Sequence, residues 1–282
     1  MDSDDLKRGT RGKHAAAALV VFGGLFSVSG PLLAQCESLP NFDALSGVLA
    51  NVVTAGNNGG LGNNMWATIV DSSGAVCAVT RTGDLPGGQW LGSRVISAQK
   101  ANTANAFSLN AGATGTPIAL STANLYAAVQ PGGSLFGLQE SNPVNASIAY
   151  EGDPASFGAA GDPLVGQRIG GINVFGGGLA LYNEAGQLVG GLGVSGSTSC
   201  ADHVIAWKVR DALGLDNIPG GVAADNTDNI IFDNVGTDGS FQSEGGFGHP
   251  ECGFGETEIT QELPASNPIG PNEQPQPEPE QP

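Results

Sequence analysis

The sequence predicts a mixed α/β (α+β) domain, with a mostly antiparallel five-stranded sheet and helices against its faces. Three observations carry this. Gly177 to Gly196 reads as strand, tight turn and strand, and runs into Ser197-Thr198-Ser199, a cap for a helix beginning near Cys200. Trp66 to Arg81 repeats the layout around the turn Ser72-Ser73-Gly74, with a helix following from Trp90 to Phe107. Strands joined by tight hairpins pair antiparallel, so two ββα units define the sheet.

The elements follow in order. Leu45, Val48, Leu49, Val52 and Val53 have helical spacing, and the Asn- and Gly-rich run Asn57 to Asn64 ends that helix. The first hairpin follows, and its helix turns Val95, Ile96, Ala98 and Ala101 inward. Thr116 to Asp162 reads as long loops with one helical piece, Thr122 to Val129. Arg168 to Val174 reads as the fifth strand and leads into the second hairpin. The last helix, Cys200 to Leu213, presents Val204, Ile205, Val209 and Leu213 on one face, and Gly214 stops it.

Residues 1–34 read as a secretory signal peptide. Lys7, Arg8, Arg11 and Lys13 precede the uncharged stretch Ala15 to Ala34. A membrane anchor competes, because about 20 apolar residues can span a bilayer, but Gly23, Gly24 and Pro31 weaken it. Lipid attachment at Cys36 is a third option, weakened by Gln35 before it. The expected location is periplasmic or secreted, with no membrane span after signal removal.

Export makes disulfides of the four cysteines, with three possible connectivities. Shorter loops close at lower entropic cost, which favours Cys36–Cys77 and Cys200–Cys252. No CxxC occurs, so a cysteine metal site is not expected.

Beyond the leader the chain keeps 24 acids against 6 bases, and 13 acids but no Lys or Arg lie from Asp216 onward. Such a polyanion repels nucleic acid and anionic membranes. The main domain is expected over residues 35–216. Residues 217–262 are Gly-rich but carry Ile230, Phe232, Phe241, Phe247 and Cys252, and read as an ordered wrap tied by a disulfide. Residues 263–282 read as a disordered, acidic, Pro-rich tail.

The second hairpin, with Asn183-Glu-Ala-Gly-Gln187 at its turn and Gly193-Val-Ser-Gly196 at its exit, resembles the GlcG/HbpS family of haem-binding-type proteins. The first hairpin, the Ala-rich helix around Lys100, and Ser134-Leu-Phe-Gly-Leu138 fit the same pattern from Phe42 to Leu213. The resemblance implies a profilin-like three-layer α/β/α sandwich and a homo-oligomer. In that family some members bind haem, some act with sensor kinases outside the cell, and related domains are fused to corrinoid enzymes. The insert between Gly112 and Asp162, the wrap and the tail are additions that can cover or reshape a ligand site.

Haem as cofactor directs attention to iron ligands, usually His, Cys, Met or Tyr. Beyond the leader the histidines are His203 and His249. His203, in the first turn of the last helix, is the leading metal ligand, with capping as the competing role. A Cys200–Cys252 bridge would tether His249 near it. Met65, Tyr126, Tyr150 and Tyr182 are further options, each also suited to packing. Ligand carboxylates would call on Arg94 and Lys100, or on Arg81 and Arg168, with internal ion pairing as the competing role. Gly193-Val-Ser195-Gly196 lacks the last glycine of a nucleophile elbow, Ser197 standing in its place. The expected function is therefore small-molecule binding without catalysis. An enzyme or accessory subunit for a small organic acid, and an oligomeric interaction module in extracytoplasmic sensing, are the alternatives.

Overall fold

The computed structural model describes residues 36–110, 118–237 and 240–270. The proposed signal and the end of the tail lie outside them. The architecture is mixed α/β around one four-stranded antiparallel sheet: β1 (Trp66–Asp71), β2 (Val76–Arg81), β3 (Gly178–Tyr182) and β4 (Leu188–Ser195), in the order β2-β1-β4-β3. The two hairpins meet along β1 and β4, where Trp66 pairs with Ser195 and Asp71 with Gly190.

The turns are built by their side chains. The Asp71 carboxylate accepts from the Ser73 and Ala75 amides at 2.8 and 3.0 Å, and Gly74 follows at φ 80°. Asn183 does the same for Ala185 and Gln187, with Gly186 at φ 67°. Asp and Asn serve here because their short polar side chains bond the backbone two residues on.

The expected fifth strand does not form. Arg168 to Val174 contributes one bridge, Val144 to Gly170, because Gly170 and Gly171 both take positive φ and break the extended run. Thr122 to Val129 is helical as expected, in two short 3-10 turns.

Four main helices accompany the sheet: α1 (Phe42–Ala55), α2 (Ser93–Phe107), α3 (Ser199–Ala212) and α4 (Glu256–Ser266). Alternate strand residues enter two cores, as the strand's twofold side-chain period requires. Ala67, Ile69, Leu192 and Val194 join Leu45 and Leu49 of α1, Val204 and Trp207 of α3 and Leu263 of α4. Trp66 and Val70 join Val95, Ala98 and Ala101 of α2. Each large aliphatic side chain fully buried here contributes about 1.5–3 kcal/mol.

The strand glycines set how closely α2 approaches. A methyl group at Gly193 would overlap the Ser97 carbonyl, and one at Gly191 the Ala101 carbonyl. These glycines are spacers for helix-on-sheet packing.

Asn41 caps α1 through the Ala44 amide, and Thr198 caps α3 through the Ala201 amide. Both disulfides form in the expected pairing, Cys36–Cys77 and Cys200–Cys252. Among the described residues no helix is long and apolar enough to cross a membrane. Helix α4 runs past Leu263, which is fully buried, so residues 263–266 are helical although their composition reads as tail.

Candidate functional site

The exit of β4, the first turn of α3 and the segment from Asp225 to Cys252 converge on one region. Thr198 orients the start of α3, and Cys200–Cys252 pins the later segment against it. Asn229 bridges inward, its amide donating to the Thr260 carbonyl at 2.8 Å, while Asn124 of the long insert donates to the Asn229 carbonyl at 3.0 Å. Insert and wrap therefore form a strap across α3.

His203 lies beneath that strap, fully buried. Its Nε2 is 3.2 Å from both the Asn229 side-chain oxygen and the Ile230 amide, and Nδ1 has no partner. Burial drives its pKa down to about 3, against the opposing pull of Asp228, so the ring is neutral at ordinary pH.

His249 sits at the strap's edge. It is also largely buried, but it lines a cavity of about 420 Å³ with Phe232, Asn234, Pro250 and Glu251. Its Nδ1 faces the Pro250 carbonyl at 2.7 Å and must be the protonated nitrogen, since a carbonyl can only accept. Nε2 is then free to accept from the Ser199 hydroxyl at 3.2 Å. Burial lowers this pKa to about 4.

Of the cations expected to meet a ligand, Lys100 and Arg94 are neutralised inside the fold, whereas Arg81 and Arg168 bond backbone carbonyls. Lys100 donates to Asp202 at 2.7 Å and to the Val194 carbonyl at 3.0 Å. Burial lowers the Lys100 pKa and raises that of Asp202 to about 6, outweighing their mutual attraction. Arg94 forks onto Asp162 through Nε and Nη2 and lies over the Phe157 ring. Arg81 donates to the Phe157 carbonyl, and Arg168 to the Ser73 carbonyl at 2.9 Å. A third buried pair, Arg210 with Asp228, makes two bonds of 2.7 and 2.8 Å and ties the strap to α3.

Met65 is core, and the Tyr182 hydroxyl donates to the Leu109 carbonyl. The Tyr126 ring lies 4.9 Å from that of His249 at a tilt of 54°, and Tyr150 is exposed. Cys200, His249 and Cys252 present their ligand atoms within 4.8 Å of one another, but both sulfurs are spent in the disulfide, which leaves no thiolate for a metal.

In the sequence Ser199 stands out only as part of a helix cap. The signal available was its place three residues past a strand–turn exit, together with the bridge that returns His249 to the same helix turn.

Two ββα units on one antiparallel sheet, with a disulfide-pinned strap against the last of their helices, define a mixed α/β module. The chain belongs to the HbpS-like haem degrading protein family, whose model matches residues 43–210, more than half of its length. Among solved structures it is similar to a PduOC–haem complex, at 24% identity over 61% of this chain and 91% of that one, with a TM-score of 0.41. It is also similar to the ORFY protein of Klebsiella pneumoniae, at 24% identity over 60% and 88%, TM-score 0.38. A double mutant of HbpS from Streptomyces reticuli matches at 18% identity over 71% and 99%, TM-score 0.39. No curated protein matches the chain.

Proposed function

We propose that this is an exported binding protein for haem or a related tetrapyrrole, performing no chemistry on that ligand, with the domain arranged as a profilin-like three-layer sandwich. Family membership supports the ligand class. Two disulfides support export, since such bridges persist in oxidising compartments. The observation that carries the site is His249 on the wall of the 420 Å³ cavity, within the volume range of small-molecule pockets.

His249 would hold the iron through Nε2. Its Nδ1–H already donates to a carbonyl, the outer contact that fixes the tautomer of a metal-binding histidine. Iron would displace the Ser199 hydroxyl from Nε2. His203, with its ring under the strap, takes the structural role. Haem supplies a redox-active iron when bound; the protein supplies the imidazole, the Phe232 face and exclusion of water. Arg94 and Lys100, paired internally with Asp162 and Asp202, leave the carboxylates of such a ligand without these partners.

The test is a hemin titration of the mature protein followed at the Soret band. A saturable shift lost in His249→Ala and kept in His203→Gln is expected. No saturable shift from a folded protein overturns the reading.

The organic-acid reading needs a shared cationic site, and Arg81, Arg94, Lys100 and Arg168 each answer to different partners. The interaction-module reading has one observation in its favour: exposed Leu91 and Tyr150 line a cavity of about 180 Å³ with Phe157. Light scattering on the mature protein tests whether it forms the homo-oligomer this reading requires.

A further inference from the structure

We infer that Ser199 and His249 form a nucleophile–base pair able to transfer acyl groups from small uncharged carboxylic esters. The inference concerns the haem-free protein, because iron on Nε2 would take the base away from Ser199. It stands on three observations.

The first is the geometry of the pair. Oγ of Ser199 is 3.2 Å from Nε2 of His249, at the outer edge of the reach expected for a nucleophile and its base without substrate. The second is orientation. The Pro250 carbonyl holds Nδ1–H at 2.7 Å, which leaves Nε2 unprotonated and aimed at the hydroxyl. A backbone carbonyl thus fills the position that a carboxylate fills in a Ser-His-Asp triad. The third is placement. Ser199 opens α3 directly after the β4 exit, a strand–turn–helix setting, although Ser197-Thr198-Ser199-Cys200-Ala201 is not the G-x-S-x-G sequence. Ser199 is only half-buried, and its base lines the 420 Å³ cavity.

In the reaction, Oγ adds to the ester carbonyl carbon while its proton passes to Nε2. The tetrahedral intermediate collapses, the C–O bond to the leaving group breaks, and the departing oxygen takes the proton from Nε2. Water then attacks the acyl-Ser199 ester as His249 takes its proton, the acyl–Oγ bond breaks, and Oγ recovers the proton from Nε2. Ester and water give acid and alcohol, and no other reactant is needed. Glu251 in the cavity wall and the formal charge of −17 disfavour anionic esters.

The experiment treats the full, disulfide-bonded, haem-free protein with a fluorophosphonate probe and maps the adduct by mass spectrometry. We expect one adduct, on Ser199. It should be absent from Ser199→Ala and form about 100-fold more slowly in His249→Gln, the lower end of what a general base supplies. Ser199→Ala leaves the Thr198 cap untouched, so its fold should survive; matching circular dichroism and intact disulfides verify this for both variants. Hydrolysis of p-nitrophenyl acetate should show an acyl-enzyme burst in the parent only. No Ser199 adduct on the folded parent, or labelling that His249→Gln leaves unchanged, overturns the inference. A flat hemin titration alongside Ser199 labelling would remove the haem reading and leave this one standing.

Discussion

His203 and His249 occupy the same corner of the molecule in opposite circumstances. His203 lies near the start of a helix, is fully buried, and has its hydrogen-bond partners on the strap. His249 belongs to an irregular Gly-rich segment, yet it faces a cavity and has both ring nitrogens engaged by oriented partners. Placement on a regular element therefore does not make a histidine available. The strap decides which ring a ligand can reach; Arg210–Asp228 and Cys200–Cys252 tie it to α3, and Asn124 to Asn229 joins its two parts.

The largest change should come from breaking the buried ion pair. Asp228→Ala leaves the Arg210 guanidinium uncompensated in the interior and should cost about 3–5 kcal/mol. Urea denaturation measures the loss. Diethylpyrocarbonate, to which His203 should be inert in the parent, should modify it in the variant. Unchanged inertness in a destabilised variant would show that the strap stays closed without this tie.

The disulfide comes next. Cys200 and Cys252 are 52 residues apart, and the chain-entropy model assigns such a bridge about 4 kcal/mol. The Cys36–Cys77 bridge, at 41 residues, should be worth nearly the same. Replacing either pair by serine should lower the melting temperature similarly. Only loss of Cys200–Cys252 should abolish chemistry at His249, and equal loss of that chemistry from both would erase the distinction between the regions.

The smallest change is in pH dependence. An unfolded histidine takes a proton near pH 6.5, whereas the folded state holds His203 down to about 3 and His249 to about 4. The unfolded chain then binds more protons, so the stability tied to these rings is complete above pH 6.5 and declines as pH falls toward those values. The charged groups facing His203 are Asp228, Arg210 and His249. Asp202 acts in the opposite sense, since its raised pKa of about 6 withdraws stability as pH rises from 3.8 through 6. Comparing each variant with the parent isolates one ring. The melting-temperature gap between parent and His203→Gln should narrow from pH 7 to pH 4; a constant gap would contradict the assignment.

The sequence made local structure legible because local structure has local causes. Ser72-Ser73-Gly74 and Asn183 to Gln187 mark their turns, Ser197-Thr198-Ser199 its helix start, and an even set of cysteines its bridges. The fifth strand misled because apolar residues in Arg168 to Val174 satisfy the strand pattern while Gly170 and Gly171 take backbone conformations that composition does not show. Helix α4 was hidden by Pro264 and by the glycines before it. At the site, Lys100 and Arg94 were visible as scarce cations, but their partners Asp202 and Asp162 lie 102 and 68 residues away. The strap over His203 is likewise a tertiary fact, as is the meeting of Ser199 with His249 across 50 residues.

The central claim is that ligand chemistry belongs to His249 and not to His203. Hemin titration of the parent, His249→Ala and His203→Gln, read at the Soret band, tests it most directly. The account predicts saturable binding in the parent and His203→Gln, and loss of the ligated spectrum in His249→Ala. A ligated spectrum that survives in His249→Ala and disappears in His203→Gln would contradict it.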